Sequence, residues 1–203
     1  RATFSYYDIS TDSIQYHGRY NFVSDAFEIE RGNSVRQINI NGNYRQGLKN
    51  GNWAYDQNDY QLKIRRISGL NVEAVLNGYQ RRLSAQYNDG VPSGTWEMTI
   101  NEVVDSRRRG KSAESSANFT DGLATGSFIY SDTSQSFHHK ISGEFDHDGN
   151  FHGDWQLTYM KNGFNIVEDR CYENGFLLSL KSVDIETDSV LFDIAFEEIV
   201  SKL

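Results

Sequence analysis

The sequence predicts an all-β protein: an extended antiparallel sheet of successive β-hairpins, closed by a short C-terminal capping helix. Three observations lead there. The first is composition. Of 203 residues 37% are hydrophobic and 13% are aromatic, so the apolar content is concentrated in 12 Tyr, 12 Phe and 3 Trp. Rings favour strands, where they pack across neighbouring chains on one face. The second is punctuation: 17 Gly supply turns, and only Pro92 interrupts the chain with a fixed φ. The third is an internal repeat, which a search for self-similarity finds before any local reading.

The repeat lines up on its glycines. Tyr44, Gly47, Gly51 and Trp53 stand in the order aromatic-x-x-Gly-x-x-x-Gly-x-aromatic. Tyr87, Gly90, Gly94 and Trp96 repeat that order, as do Phe119, Gly122, Gly126 and Phe128. Phe145, Gly149, Gly153 and Trp155 carry one extra residue before the first glycine, and a fifth copy is cut short after Tyr172 and Gly175. The first glycine follows Asp or Gln, a signal for a tight turn with positive φ. The second is expected where a side chain would clash, in a bulge or under a neighbouring ring. The ring two residues later faces the same side. Trp53, Trp96, Phe128 and Trp155 are therefore expected to share one face and pack in sequence order. The segments Trp96-Glu-Met98-Thr-Ile100 and Trp155-Gln-Leu157-Thr-Tyr159 keep apolar groups on one side only, the period of a half-buried strand.

On these residues the chain resembles MORN repeats, and more closely the degenerate MORN-like variants of bacterial proteins, including YwqK-type antitoxins. The resemblance covers about residues 40–180 and departs from the eukaryotic form in its irregular spacing and in Phe128. It implies a single-layer, twisted antiparallel sheet built from successive hairpins. It also implies scaffolding or binding and not a fixed activity.

Three regions follow. Residues 1–39 read as degenerate hairpins that open the array. Ala2–Tyr6, Ile14–Tyr16, Tyr20–Phe22 and Phe27–Ile29 alternate like strands, with turns at Thr11-Asp12-Ser13 and Arg31-Gly32-Asn33. A terminal repeat must differ because its outer edge has no neighbour. Residues 40–182 form the array. Residues 183–203 change period: Phe192, Ala195, Phe196, Ile199, Val200 and Leu203 fall on one face of a helix, started by Asp188 or Ser189. Asp184, Glu186, Asp188, Asp193, Glu197 and Glu198 against Lys202 make this tail acidic. The helix is expected to cover the open sheet edge, a partner-docking helix being the other reading.

Charge narrows the partners. A formal net charge of −8 repels phosphate backbones, so no nucleic acid is expected. Arg107, Arg108, Arg109 and Lys111 read as a solvated hairpin tip turned by Gly110. No segment approaches the ~20 apolar residues of a membrane span, and membrane insertion is not expected. Cys171 has no second cysteine to pair with and reads as a buried structural thiol. The chain begins at Arg1 and not at Met, as a processed chain does. The expected location is extracytoplasmic, in the periplasm or on the surface of a bacterium.

No catalytic signature appears: no phosphate-binding glycine loop, nucleophile elbow or zinc-protease helix. His138, His139, His147 and His152 lie close in sequence near Asp146, Asp148 and Asp154, with His17 apart. That cluster reads as loop decoration around the Asp148-Gly149 turn. No metal, cofactor or catalytic residue is assigned. The expected function is a noncatalytic, monomeric binding or scaffold module that presents a β-repeat surface to a protein or glycan. Tyr55, Tyr60, Tyr79 and Tyr130 are candidate contacts, since Tyr offers area and a hydroxyl at low entropic cost. The alternative is an antitoxin-like inhibitor that masks a toxin through its acidic surface.

Overall fold

The computed structural model describes residues 1–10, 13–28, 33–69, 71–134 and 138–196. Thirteen β-strands and no helix are found among them. The chain divides into two compact units, Arg1–Ser112 and Ala113–Leu203.

In the first unit β1 (Ala2–Ser10), β2 (Ser13–Glu28), β3 (Ser34–Arg45), β4 (Leu48–Ser68), β5 (Asn71–Asn88) and β6 (Val91–Val104) each pair antiparallel with the next. β7 (Arg107–Thr120) begins in the first unit and continues from Ala113 in the second, where the same up-and-down order links it to β8 (Leu123–Asp132), β9 (His139–Phe145), β10 (Phe151–Lys161), β11 (Phe164–Glu173), β12 (Phe176–Asp184) and β13 (Ser189–Ala195). The strands read at Ile14–Tyr16 and Tyr20–Phe22 are parts of the single long β2. Thr11, Asp12, Ile29, Arg31 and Gly32 lie outside the described residues.

The first glycine of each repeat makes the turn. Gln46-Gly47, Asp89-Gly90, Asp121-Gly122 and Asn174-Gly175 are two-residue loops with positive φ at both positions. This is the type I′ hairpin, whose twist matches that of the flanking strands. Asp105-Ser106 and Asn162-Gly163 do the same outside the repeat pattern. The run from Arg107 to Lys111 therefore belongs to strand β7, and its turn is Asp105-Ser106 and not Gly110. The N–H of Gly47 donates to the Tyr16 carbonyl at 2.8 Å, that of Gly90 to Lys49 at 2.7 Å and that of Gly175 to Phe151 at 2.9 Å. Each of these tips is thereby latched to the hairpin before it.

The second glycine makes a bulge. Register shifts fall opposite Gly51, Gly94, Gly126 and Gly153, whose φ values lie between 62° and 70°. The expected clash is met at Gly94 alone, where a Cβ would lie 2.1 Å from the Gln86 side chain. A Cβ at Gly51, Gly126 or Gly153 would meet nothing within 4 Å. The requirement is the left-handed backbone, which an L side chain resists.

The ring after each bulge lies on one face with its neighbours. In the first unit Trp53 is 5.0 Å from Tyr44 and 6.3 Å from Tyr87, and Tyr87 is 5.2 Å from Trp96. In the second, Phe128 stacks on Trp155 at 5.9 Å. The rings do not share one depth. Trp53 is 2% exposed and Trp155 4% exposed, while Trp96 and Phe128 are half-buried.

The C-terminal helix is overturned where the chain is described. Ser189–Ala195 is strand β13, with Phe192 opposite Ser182 and Ile194 opposite Leu180. Val190, Phe192 and Ile194 satisfy a period of 2 as well as the helical spacing does, and β-branched and aromatic residues favour the strand. Asp184 starts the reversal: its carboxylate accepts from the Glu186 N–H at 3.3 Å and the Thr187 hydroxyl at 2.6 Å. Asp188 completes it at φ 54°, so it turns the chain and caps no helix. The edge of β12 is covered by a strand. Residues 197–203, including Ile199, Val200 and Leu203, lie outside the described residues.

Candidate functional site

Strand alternation gives the first unit two unlike faces. One carries Tyr20, Tyr44, Trp53, Tyr55 and Tyr87. The other is built from carboxamides. Gln37, Asn58, Gln80 and Asn101 stand directly opposite one another across β3, β4, β5 and β6. The next row is Asn39, Asp56, Arg82 and Thr99, and the row after it is Asn41, Ala54, Ser84 and Glu97. Strands sit about 4.8 Å apart, so the first row is a ladder of carboxamides at that spacing, and the next two continue it with mixed, mostly polar side chains.

Two adjoining troughs of about 560 Å³ and 480 Å³ run over this face and share Arg82. Asn101 is 5% exposed and accepts from Arg108 Nη2 at 2.7 Å. Gln80 donates to the Tyr60 hydroxyl at 2.8 Å, and Asn41 to Asn39 Oδ1 at 3.0 Å. Arg82 lies 3.7 Å from Asp56. Arg19, Arg81, Arg82 and Arg108 line the troughs with Asp25 and Asp56, Glu97 ends the third row, and Arg81 is paired to Asp59, so cations and carboxylates are mixed on this surface although the chain as a whole is acidic.

A third groove in this unit, of about 650 Å³, holds Arg36, Asp59, Tyr79 and Arg81. Arg36 Nε and Gln57 Nε2 each donate to Asp59 at 2.7 Å, and Arg81 pairs with the same carboxylate. Partial burial pushes the Asp59 carboxyl up, but the hydrogen bonds from Arg36 and Gln57 and the two guanidinium charges outweigh it and hold it below the usual range. The Arg81 guanidinium lies 5.7 Å from the Tyr79 ring.

The second unit has a groove of about 850 Å³ lined by Ser127, Ser142, Glu144, Asp154, Gln156, Asp169 and Lys181 among others. On its other face Glu168 is 6% exposed, accepts from the Tyr159 hydroxyl at 2.8 Å and pairs with Arg170. Burial works against the Arg170 cation, yet hydrogen bonds to Tyr172 and Glu168 keep it charged.

The four candidate tyrosines are not brought together. Tyr60 and Tyr79 line the Asp59 groove, but Tyr60 is 9% exposed with its hydroxyl bonded to Gln80, whereas Tyr79 is 39% exposed. Tyr55 stacks on Trp53 at 6.0 Å within the aromatic face. Tyr130 belongs to the second unit and is half-buried, its hydroxyl 3.3 Å from Asp132.

The histidine-rich stretch is organised by Asp146. Its carboxylate accepts from the N–H groups of Asp148 and Asn150 at 2.9 Å, and His147 stays exposed beside Asp148. Among the described residues no group of three or more His, Cys, Asp or Glu side chains is placed to hold a metal ion. Cys171 is half-buried on β11 and not fully buried. No helix among the described residues is long and apolar enough to cross a membrane.

Two features escaped the sequence reading. The first is the residue beneath each ring. A Cβ at Gly42 would lie 2.1 Å from the Trp53 indole, and one at Gly143 would lie 2.1 Å from Trp155. Ala85 and Ala117 hold the corresponding places beside Trp96 and Phe128. A small residue two places before the first ring of each repeat was the available signal. The second is the carboxamide ladder, visible as Asn and Gln recurring at alternate positions. No protein-family model, curated protein or solved structure matches this chain.

Proposed function

We propose that this protein is a noncatalytic binding module whose working surface is the carboxamide face of the first unit, and that its ligand is a neutral glycan. The observation that carries the reading is the row Gln37, Asn58, Gln80, Asn101 and its neighbours. A carboxamide both donates and accepts, as a sugar hydroxyl does. A ladder of them can follow a chain of sugars without charge. With Arg81 paired to Asp59, the remaining Arg19, Arg82 and Arg108 against Asp25, Asp56 and Glu97 suit an uncharged ligand. The trough offers no exposed ring on which bases could stack, which argues against a single-stranded nucleic acid. It also lacks the aromatic anchors that dominate protein interfaces. The resemblance of the repeat to MORN hairpins is in keeping with a binding role.

The test is titration of the intact protein against soluble neutral polysaccharides by calorimetry, after a glycan-array screen. Binding should weaken about tenfold or more when Asn58 and Gln80 are both replaced by Ala, roughly 1.4 kcal/mol or more. Absence of any neutral glycan ligand, or a ligand indifferent to that double substitution, overturns the reading.

A further inference from the structure

Lys49 lies where the other repeats place an apolar group. The position two residues after the first glycine is Pro92, Ala124, Phe151 and Leu177 in the other copies. Phe151 shows what that place ordinarily holds. Its ring lies 4.7 Å from Trp155, 5.3 Å from Phe145 and 5.2 Å from Tyr172. In the β3–β4 hairpin an ammonium replaces that ring. Lys49 Nζ lies 5.0 Å from the Trp53 centroid, 5.3 Å from Tyr55 and 5.1 Å from Tyr87. It also donates to the Tyr55 hydroxyl at 2.9 Å. Three rings converging on one cation at these distances form an aromatic cage. Lys49 reaches it from the same face: it pairs with Tyr44 across the hairpin, two residues beyond the turn glycine.

We propose that Trp53, Tyr55 and Tyr87 form a binding site for a quaternary ammonium group, and that Lys49 is its tethered resident. The chemistry favours exchange. A primary ammonium has three N–H donors and is strongly hydrated, and beyond the tyrosine hydroxyls the ring faces offer those donors no acceptor. A tetraalkylammonium has no N–H group to satisfy and gives up less water when it enters the rings. The Lys49 side chain is long and flexible and can swing to solvent when the cage is taken. Burial pushes the Tyr55 and Tyr87 hydroxyls up, so both remain neutral phenols at physiological pH. This site is independent of the carboxamide face, and its test does not depend on a glycan.

The first probe is tetramethylammonium, titrated into the whole protein and read by tryptophan fluorescence and calorimetry. Lys49→Ala should bind it saturably. The wild-type protein should bind about tenfold more weakly if Lys49 holds the cage some nine-tenths of the time. The neutral isostere 3,3-dimethylbutan-1-ol should bind neither, and Lys49→Met, which fills the cage as Phe151 does, should abolish the site while keeping the fold. Choline and the amide of trimethyllysine then distinguish a headgroup from a methylated side chain, the tighter one naming the source. Should Lys49→Ala fail to fold, the wild-type protein still decides. The proton resonance of the Lys49 ε-methylene should be moved upfield by the three rings, and tetramethylammonium should move it back toward the free-lysine value. Equal binding of the neutral isostere, no saturable binding by Lys49→Ala, or a Lys49 resonance at its free value overturns the proposal.

Discussion

The β3–β4 and β5–β6 hairpins share a type I′ turn, a glycine bulge and a Trp two residues beyond it. At the residue opposite the bulge they differ by one methyl group, Gly42 against Ala85. Trp53 lies flat on Gly42 and is 2% exposed; Trp96 stands beside Ala85 and stays half-buried. The second unit repeats the contrast, with Trp155 on Gly143 and Phe128 beside Ala117. Ala85 is itself 4% exposed and directly opposite Trp53, so its methyl is part of the packing of the deeper ring. The motif that defines the repeat sets which face a ring takes. The strand opposite sets how deep it goes.

The largest expected effect comes from adding that methyl. Gly42→Ala puts a carbon into the indole and should cost about 3–5 kcal/mol, as much as Trp53→Ala, because the ring must leave. Urea unfolding measures both. The double substitution should cost little more than either alone, since the new methyl then meets no ring; additive losses would break the comparison.

Trp96→Ala should cost less, about 1–2 kcal/mol, in proportion to a half-buried ring. A loss equal to that of Trp53→Ala would place Trp96 in the core. Ala85→Gly is the sharper converse. Glycine in a strand costs about 0.5–1 kcal/mol, but Trp96 gains a floor, and its emission should shift to the blue. An unchanged spectrum would show that more than the methyl holds the ring out.

The smallest effect concerns pH. The Asp59 carboxyl is held below its ordinary value by the hydrogen bonds from Arg36 and Gln57 despite partial burial. A depressed carboxylate stabilises the fold fully above its unfolded value, and that contribution fades as pH falls through the folded one. Arg36→Met should therefore lower stability slightly at neutral pH, flatten its fall as pH drops below the ordinary carboxylate range, and leave the most acidic end unchanged. Carbon-detected titration of Asp59 checks the cause directly.

Much of this fold was legible because its signals are local. Asp89-Gly90 can hardly be anything but a tight turn, and alternation from Trp155 to Tyr159 names its own face. The misreadings came where a local pattern has two solutions or where the partner is distant. Phe192, Ala195 and Phe196 fit a helix, yet Val190, Phe192 and Ile194 fit a strand, and the free edge of β12 decided between them. Gly110 drew the turn away from Asp105-Ser106, which holds positive φ without any glycine. Gly42 and Gly143 carry no local signal because the rings that need them arrive from the neighbouring strand. The carboxamide ladder was hidden for a related reason: Asn is depleted in strands, and only the register across β3 to β6 turns scattered amides into a row.

The latches at the hairpin tips give the array a direction. Gly47 bonds back to Tyr16, Gly90 to Lys49 and Gly175 to Phe151, each reaching toward the N-terminus. A hairpin therefore finishes its tip only on a predecessor that is already in place. A chain emerging from the ribosome N-terminus first meets these acceptors in the order it needs them. The same chain refolding from denaturant has no such guarantee, and a tip that closes early has no carbonyl to find. Synthesis and refolding should thus follow different routes to one structure, the first a zipper closing from one end.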